Sequence, residues 1–222
     1  MERMFASDIL FDNRKDAAEK LAHRLEKYQN ENALVLGIPR GGVEIGYYIA
    51  EKLNAELSIV ISKKLPHPLH PEFAIGAICE KGTVYLNSDW KVSDSWLAAT
   101  SVELKKEIKR RVQLYRDGKP IPKMKGRTVI LVDDGIATGA TLASALLLCR
   151  EQGAAKIIVA APVSGESFAE EIYNADELII LHQPVSFHGV GNVYEDFSQL
   201  TDKDVLSFLK KANKKNQDPL SE

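Results

Sequence analysis

The chain has 222 residues, 45% hydrophobic and 27% charged, an ordinary globular composition that excludes disordered, collagen-like and low-complexity classes for the chain as a whole. Its 29 basic side chains stand against 31 acidic ones, a net charge of -2. No global positive field holds such a chain on nucleic acid or an anionic membrane, so neither is expected as a partner. This length corresponds to one large domain, or one domain with an insertion, and residues 1–222 are read as a single domain. No apolar stretch approaches the ~18 residues of a membrane span. The N-terminal MERMFASDILFDNRKD lacks a signal-peptide core. The expectation is a soluble, cytoplasmic protein. Cys79 and Cys149 close apolar runs (FAIGAIC and LASALLLC) without a CxxC neighbourhood, and are read as buried free thiols of a reducing compartment.

After Asp12 and Asn13, RKDAAEKLAHRLEKYQN sets Ala17, Leu21, Leu25 and Tyr28 at helical spacing. ALVLGI (33–38) reads as a strand entering the glycine-rich PRGG, and GVEIGYYIAEKL as a helix presenting Val43, Tyr47, Ala50 and Leu53. ELSIVIS (56–62) is a second strand. In the KKLPHPLHPE that follows, three prolines and two histidines predict an irregular loop. His67 and His70 in that loop are too few for a metal site. FAIGAIC and TVYLN flank EKG as two strands joined by a turn.

Residues 88–125 leave this alternation. Leu97, Leu104, Ile108 and Tyr115 form one helical stripe there, with Thr100 and Glu103 as a capping box inside the segment. It is read as a helical insertion, either a lid or an ordinary covering helix. Beyond it, GRTVILVDDG supplies an apolar strand (128–132), and ATGATLASALLLCREQG a helix stopped by Gly153. AAKIIVAAPVS is a buried strand, GESFAEEIYNA a helix and DELIILHQP a last strand. TDKDVLSFLKKANKK ends the pattern as an amphipathic helix with a capping-box start. Lysines gather in its last turns, where the helix dipole favours them. Alternating β and α segments with continuous apolar strands define an α/β fold, a doubly wound parallel sheet covered on both faces.

In such sheets ligands bind beyond the carboxyl ends of the strands. There the run from Val129 to Thr141, VILVDDGIATGAT, places Asp133 and Asp134 at the sheet edge. A loop of small residues then enters a helix. Its amides can converge at the positive helix end as a phosphate cradle, with Gly135 and Gly139 allowing close approach and Thr138 and Thr141 adding hydroxyl donors. Carboxylates beside a phosphate nest must face something else, and sugar hydroxyls or magnesium would satisfy them. The composite describes a site for a phosphorylated sugar. A P-loop is excluded because the only Gly-Lys pair, Gly118-Lys119, is followed by Pro120. No G-x-G-x-x-G is present, and a receiver domain would need an acid where the later strand ends in Ser164.

VILVDDGIATGAT resembles the 5-phosphoribosyl 1-pyrophosphate (PRPP) loop of the type I phosphoribosyltransferases. GIPRGG (37–42) resembles that family's pyrophosphate loop, and ISKKLP (61–66) the stretch after the second strand in adenine phosphoribosyltransferases. With PEFAIGAI and VGNVYEDFSQ, the whole chain resembles a family of bacterial phosphoribosyltransferases. The resemblance implies a magnesium-dependent enzyme transferring the phosphoribosyl group of PRPP to a nitrogenous acceptor. In it, Pro39, Gly41, Gly42, Asp133, Asp134, Gly135, Ile136, Ala137, Thr138, Gly139, Ala140 and Thr141 would bind PRPP. Arg40, Lys63 and Lys64 would stabilise the leaving pyrophosphate, and Asp133 and Asp134 would take the ribose hydroxyls or the metal. A hood including residues 183–200 would cover the acceptor, with Phe187 and Tyr194, beside His188 and Phe197, as its aromatic candidates. Pro162-Val163-Ser164 stand where 6-oxopurine enzymes carry a lysine, so the acceptor stays unnamed. By resemblance, an unusual Pro39–Arg40 peptide is expected as well. A homo-oligomer is compatible with this reading. The alternative is a non-catalytic PRPP or nucleotide sensor on the same fold.

Overall fold

The computed structural model describes residues 9–217, with side chains through residue 214. Residues 1–8, part of the segment read for a signal peptide, and 218–222, the end of the predicted single domain, lie outside the described residues. In chain order the elements are α1 (Arg14–Arg24), β1 (Leu34–Gly37), α2 (Gly41–Leu53), β2 (Glu56–Ile59), β3 (Ser62–Pro66), β4 (Ala74–Cys79), β5 (Val84–Leu86), α3 (Asp94–Arg116), β6 (Thr128–Val132), α4 (Ala140–Glu151), β7 (Lys156–Val163), β8 (Glu177–His182) and α5 (Asp202–Gln217).

The central sheet is parallel, in the order β2-β1-β6-β7-β8. Its central strands β1, β6 and β7 are nearly continuous apolar runs because both faces are covered there. Val35, Ile130 and Ile158 point into a core shared with α1, α2 and α5. Their neighbours Leu34, Leu36, Leu131 and Val159 point the other way, onto Leu142, Leu146 and Cys149 of α4. Leu36 and Leu131 have no exposed surface. Truncating either to Ala would cost about 2–5 kcal/mol. The central pair runs from Leu34 opposite Val129 to Gly37 opposite Val132, so PRGG and DDG emerge side by side.

The predicted loop after β2 is instead a strand. Ser62–Pro66 pairs antiparallel with β4, and β5 completes a second, three-stranded sheet. Its prolines do not prevent this, because β3 is an edge strand and Pro66 stands at a register shift at its end. Pro68 and Pro71 fall in the connection to β4.

Three other expectations are corrected. α1 stops at Arg24, and Glu26–Tyr28 forms a 3-10 turn. The helix expected in GESFAEEIYNA is only a 3-10 turn at Glu170–Asn174, since the Ala169 amide is drawn to Thr138 O (3.0 Å). Thr100 lies inside α3, not at a cap. The helix begins at Asp94, where the Ser93 hydroxyl accepts from the Trp96 amide (3.2 Å). Ile108 and Tyr115 of α3 are buried in the main core, as the stripe requires. At the start of α5, Thr201 and Asp204 exchange side-chain and backbone hydrogen bonds as a capping box. Both cysteines are buried and unpaired, and burial pushes the Cys149 thiol up to about 12. Among the described residues no helix is long and apolar enough to cross a membrane.

Candidate active site

β1 and β6 deliver the two loops that define the site, and glycine lets them touch. A Cβ on Gly41 would lie 1.7 Å from Asp134 Oδ2, and one on Gly42 would lie 2.5 Å from Val132 O. Any larger residue would drive the PRGG loop off the paired carboxylates. The Pro39–Arg40 peptide between them is cis. α2 begins at Gly41, so the amides of Gly41 and Gly42 open beside the same spot, while that of Val43 donates to Arg40 O (3.1 Å).

The loop of residues 135–139 is fixed from its far side. Ile136 donates to Val163 O (2.8 Å) and accepts from the Gly165 amide (2.9 Å), tying it to the end of β7. Its amide is therefore already engaged, and the cradle falls to the amides nearer α4. Gly139 holds a left-handed φ of 70° at the N-cap of α4, which a side chain would resist. Ala137 and Thr138 are exposed, Ala140 is buried and Thr141 is half-buried at the opening of the helix.

Asp133 and Asp134 are half-buried in dense surroundings. The Asp134 amide donates to Asp133 Oδ1 (2.9 Å). Burial, then the neighbouring Asp134 charge, pushes the Asp133 carboxyl well above its ordinary range, with Lys64 and Arg14 opposing. Asp134 is also raised by burial, while Arg14 pulls it down. Arg14 was absent from the residues proposed on sequence. Its Nε lies 2.8 Å from Asp134 Oδ2, with the two side chains 8% and 16% exposed. Its Nη1 donates to Ser198 O (2.9 Å), and its guanidinium lies 3.9 Å from the Phe197 ring centroid. One side chain thus joins α1, the strand-end acid and the segment read as the hood. A sequence signal existed: an arginine at the first position of a helix sits against the dipole and needs another reason to be there. Glu44 of α2 is also drawn in. It is half-buried, and burial raises its carboxyl against the Arg14 charge.

The predicted cations lie on two different elements. Arg40 precedes α2, is partly exposed, and approaches Asp202 at 3.8 Å. Tyr115 of α3 donates to the same Asp202, and burial with that hydrogen bond pushes its phenol up to about 12. Lys63 and Lys64 alternate on β3, Lys63 half-buried and Lys64 exposed. Burial and the nearby Arg111 charge lower Lys63. The Lys64 charge opposes the rise of the Asp133 carboxyl. They belong to the second sheet, not to the strand ends beside Arg40.

The hood aromatics separate. Tyr194 is buried, its ring is packed between Phe11 and Phe197, and its hydroxyl donates to Asp134 O (2.7 Å). Its faces are taken, so it braces the acid loop and is corrected as a stacking platform. Phe187 is half-buried beside Gly165, next to the end of β7.

Two abutting strand-end loops, one bearing the acid pair and one the arginine, thus form the candidate site. The Phosphoribosyl transferase domain family model matches residues 7–189, a span that includes both loops. The chain belongs to that family. A candidate phosphoribosyl transferase of Mycobacterium tuberculosis, alike in two strains, is 39% identical over 211 residues, covering 92% of this chain and 47% of that protein. The chain thus spans about half the length of that relative. A solved protein of Thermus thermophilus is 35% identical with a TM-score of 0.79, covering 90% of this chain and 98% of that one.

Proposed function

We propose that the chain transfers the 5-phosphoribosyl group of PRPP to a nitrogenous acceptor and releases pyrophosphate, in a magnesium-dependent reaction. The observation that carries this is the contact of Gly41 and Gly42 with the Asp134 and Asp133 region. It sets an arginine-bearing loop against a carboxylate pair, which supports a ligand carrying a sugar between a phosphate and a pyrophosphate.

The amides entering α4, with the Thr138 and Thr141 hydroxyls, take the 5-phosphate. Asp133 and Asp134 accept from the ribose hydroxyls. They also fit magnesium, which binds through one or two carboxylates and fills its shell with ligand oxygens and water. When bound, the ion supplies charge neutralisation for the leaving group. The bond from the anomeric carbon to the pyrophosphate oxygen breaks as the acceptor nitrogen forms its own, and that nitrogen then gives up its proton. The transition state is oxocarbenium-like, so positioning and charge stabilisation do most of the work. Arg40 presents a guanidinium fork to the departing phosphates, while Lys64 approaches from β3 as a point charge and Lys63 faces the other side of that strand. Residues 183–200 serve as a hood in which Phe187 covers the acceptor, and α3 covers the β3 side.

The test is pyrophosphate release from PRPP and magnesium across purines, pyrimidines and small amines. Release with at least one acceptor is expected. Tight PRPP binding with no release from any acceptor would instead identify a sensor.

A further inference from the structure

Helix α3, the turn at 80–82 and the loop at 118–121 line an open cavity of about 480 Å³ that shares no lining residue with the loops after β1 and β6. Ile108, Val112 and Ile121 give it an apolar floor. Its rim is basic, with Lys105, Lys109 and Lys119. None of these three lysines makes an ion pair among the described residues. Gly82, at a φ of 89°, leaves room for the Lys105 ammonium, which lies 3.1 Å from where a Cβ would stand.

Arg116 lines the same cavity, with its side chain only 7% exposed. Nη2 donates to Glu80, but Nε and Nη1 are buried without a hydrogen-bond partner. The other Glu80 oxygen accepts the Ile61 amide (2.8 Å). Among the described residues Glu80 is also the only acid lining the cavity. Buried donors in native proteins nearly always have an acceptor, whether protein, water or ligand. Here two donors of a cation are left over beside three unpaired lysines.

We propose that this cavity is a second anion site, taking a phosphate-bearing ligand with an apolar body. The phosphate oxygens would accept from Arg116 and the lysines, in the charge-assisted manner that makes such bonds strong. A phosphate alone would leave most of the cavity empty. Its volume and aliphatic floor match those of sites that bury a small organic molecule and orient it through a few polar groups.

Calorimetric titration of the full chain with AMP tests this, after saturation with ribose 5-phosphate to fill the site after β6. One further AMP site is expected, with inorganic phosphate bound at least tenfold more weakly. Lys105 and Lys109 are exposed. Lys105→Ala/Lys109→Ala should therefore keep the unliganded unfolding midpoint while weakening AMP at least tenfold. No AMP binding to the saturated protein, or unchanged affinity in the double variant, overturns the proposal. Equal affinities for AMP and phosphate overturn its apolar half. Failure of ribose 5-phosphate to bind would count against the phosphoribosyl reading alone, because the lysine comparison does not depend on it.

Discussion

At the end of β6, Asp134 is locked 2.8 Å from a buried Arg14, whereas at the end of β1 Arg40 is 37% exposed and reaches Asp202 only at 3.8 Å. The acidic half of the site is part of the fold, and the Asp134 charge is held by a buried partner before any ligand arrives. The basic half stands in solvent. Exposed pairs contribute about 0–1 kcal/mol, while breaking a buried one costs several times that. Substitutions in the acidic half should therefore move stability as well as binding. Those in the basic half should move chemistry alone.

The largest effect is expected for Arg14→Ala. It leaves Asp134 buried without its cation, and also removes the donor to Ser198 O and the contact over Phe197. A loss of about 3–5 kcal/mol in denaturant unfolding is expected, with PRPP affinity falling as Asp134 shifts. A loss below about 1 kcal/mol would show the pair to be no stronger than a surface one, and the contrast between the halves would go.

Gly42→Ala comes next. The new methyl would stand 2.5 Å from Val132 O and 2.9 Å from Asp133 Cα, both backbone atoms that cannot swing aside. Overpacking of this kind costs about 1–3 kcal/mol. Because the strain is relieved by parting the two loops, PRPP affinity should fall at least tenfold. Unchanged affinity in a destabilised variant would mean that the loops need not abut to bind.

Asp133→Asn should act in the opposite direction on stability. Burial and Asp134 raise this carboxyl in the folded state above the 3.8 of a free aspartate. The folded chain then keeps a proton that the unfolded chain has released, so this group's contribution is full below about pH 4 and declines as pH rises through the folded value. Removing the charge should raise the unfolding midpoint at pH 7 and flatten the stability profile above pH 4, while PRPP binding with magnesium weakens. A midpoint that drops instead would mean that Asp133 is held by partners, as Asp134 is.

These contrasts follow how much was legible in sequence. The strands β1 and β6 could be read because both faces of their sheet are covered, which makes Leu34–Gly37 and Thr128–Val132 nearly continuous apolar runs. The acid pair and the small-residue loop after it could be read because strand, loop and helix are contiguous. The partner of Arg14 could not, since it lies 120 residues away and only the tertiary fold joins the two. β3 was hidden for a similar reason. Its pairing with β4 is set across the proline-rich connection, and prolines at and beyond a strand end look locally like a loop. Tyr194 illustrates a third limit: an aromatic that caps a ligand and one that braces a backbone carbonyl have the same sequence signature.

The smallest effect on the fold is expected for Arg40→Ala, and it divides the two halves most sharply. Arg40 is partly exposed, and its partner Asp202 already accepts from Tyr115, so truncation strands no buried charge. Stability should stay within about 0.5 kcal/mol of the parent. Turnover should not. If the guanidinium meets charge that develops on pyrophosphate as it leaves, removing it costs on the order of 10²–10³ in rate, as for other donors aimed at a developing anion. Ribose 5-phosphate carries no pyrophosphate, so its affinity should change less than about twofold, since the donor it loses is one it never used. Matched losses in turnover and in ribose 5-phosphate affinity would place Arg40 with Arg14, as a residue that holds its loop in shape. A loss in turnover alone means that the exposed half of the site is reserved for the leaving group, and that its openness is what lets the same arginine meet pyrophosphate and then release it.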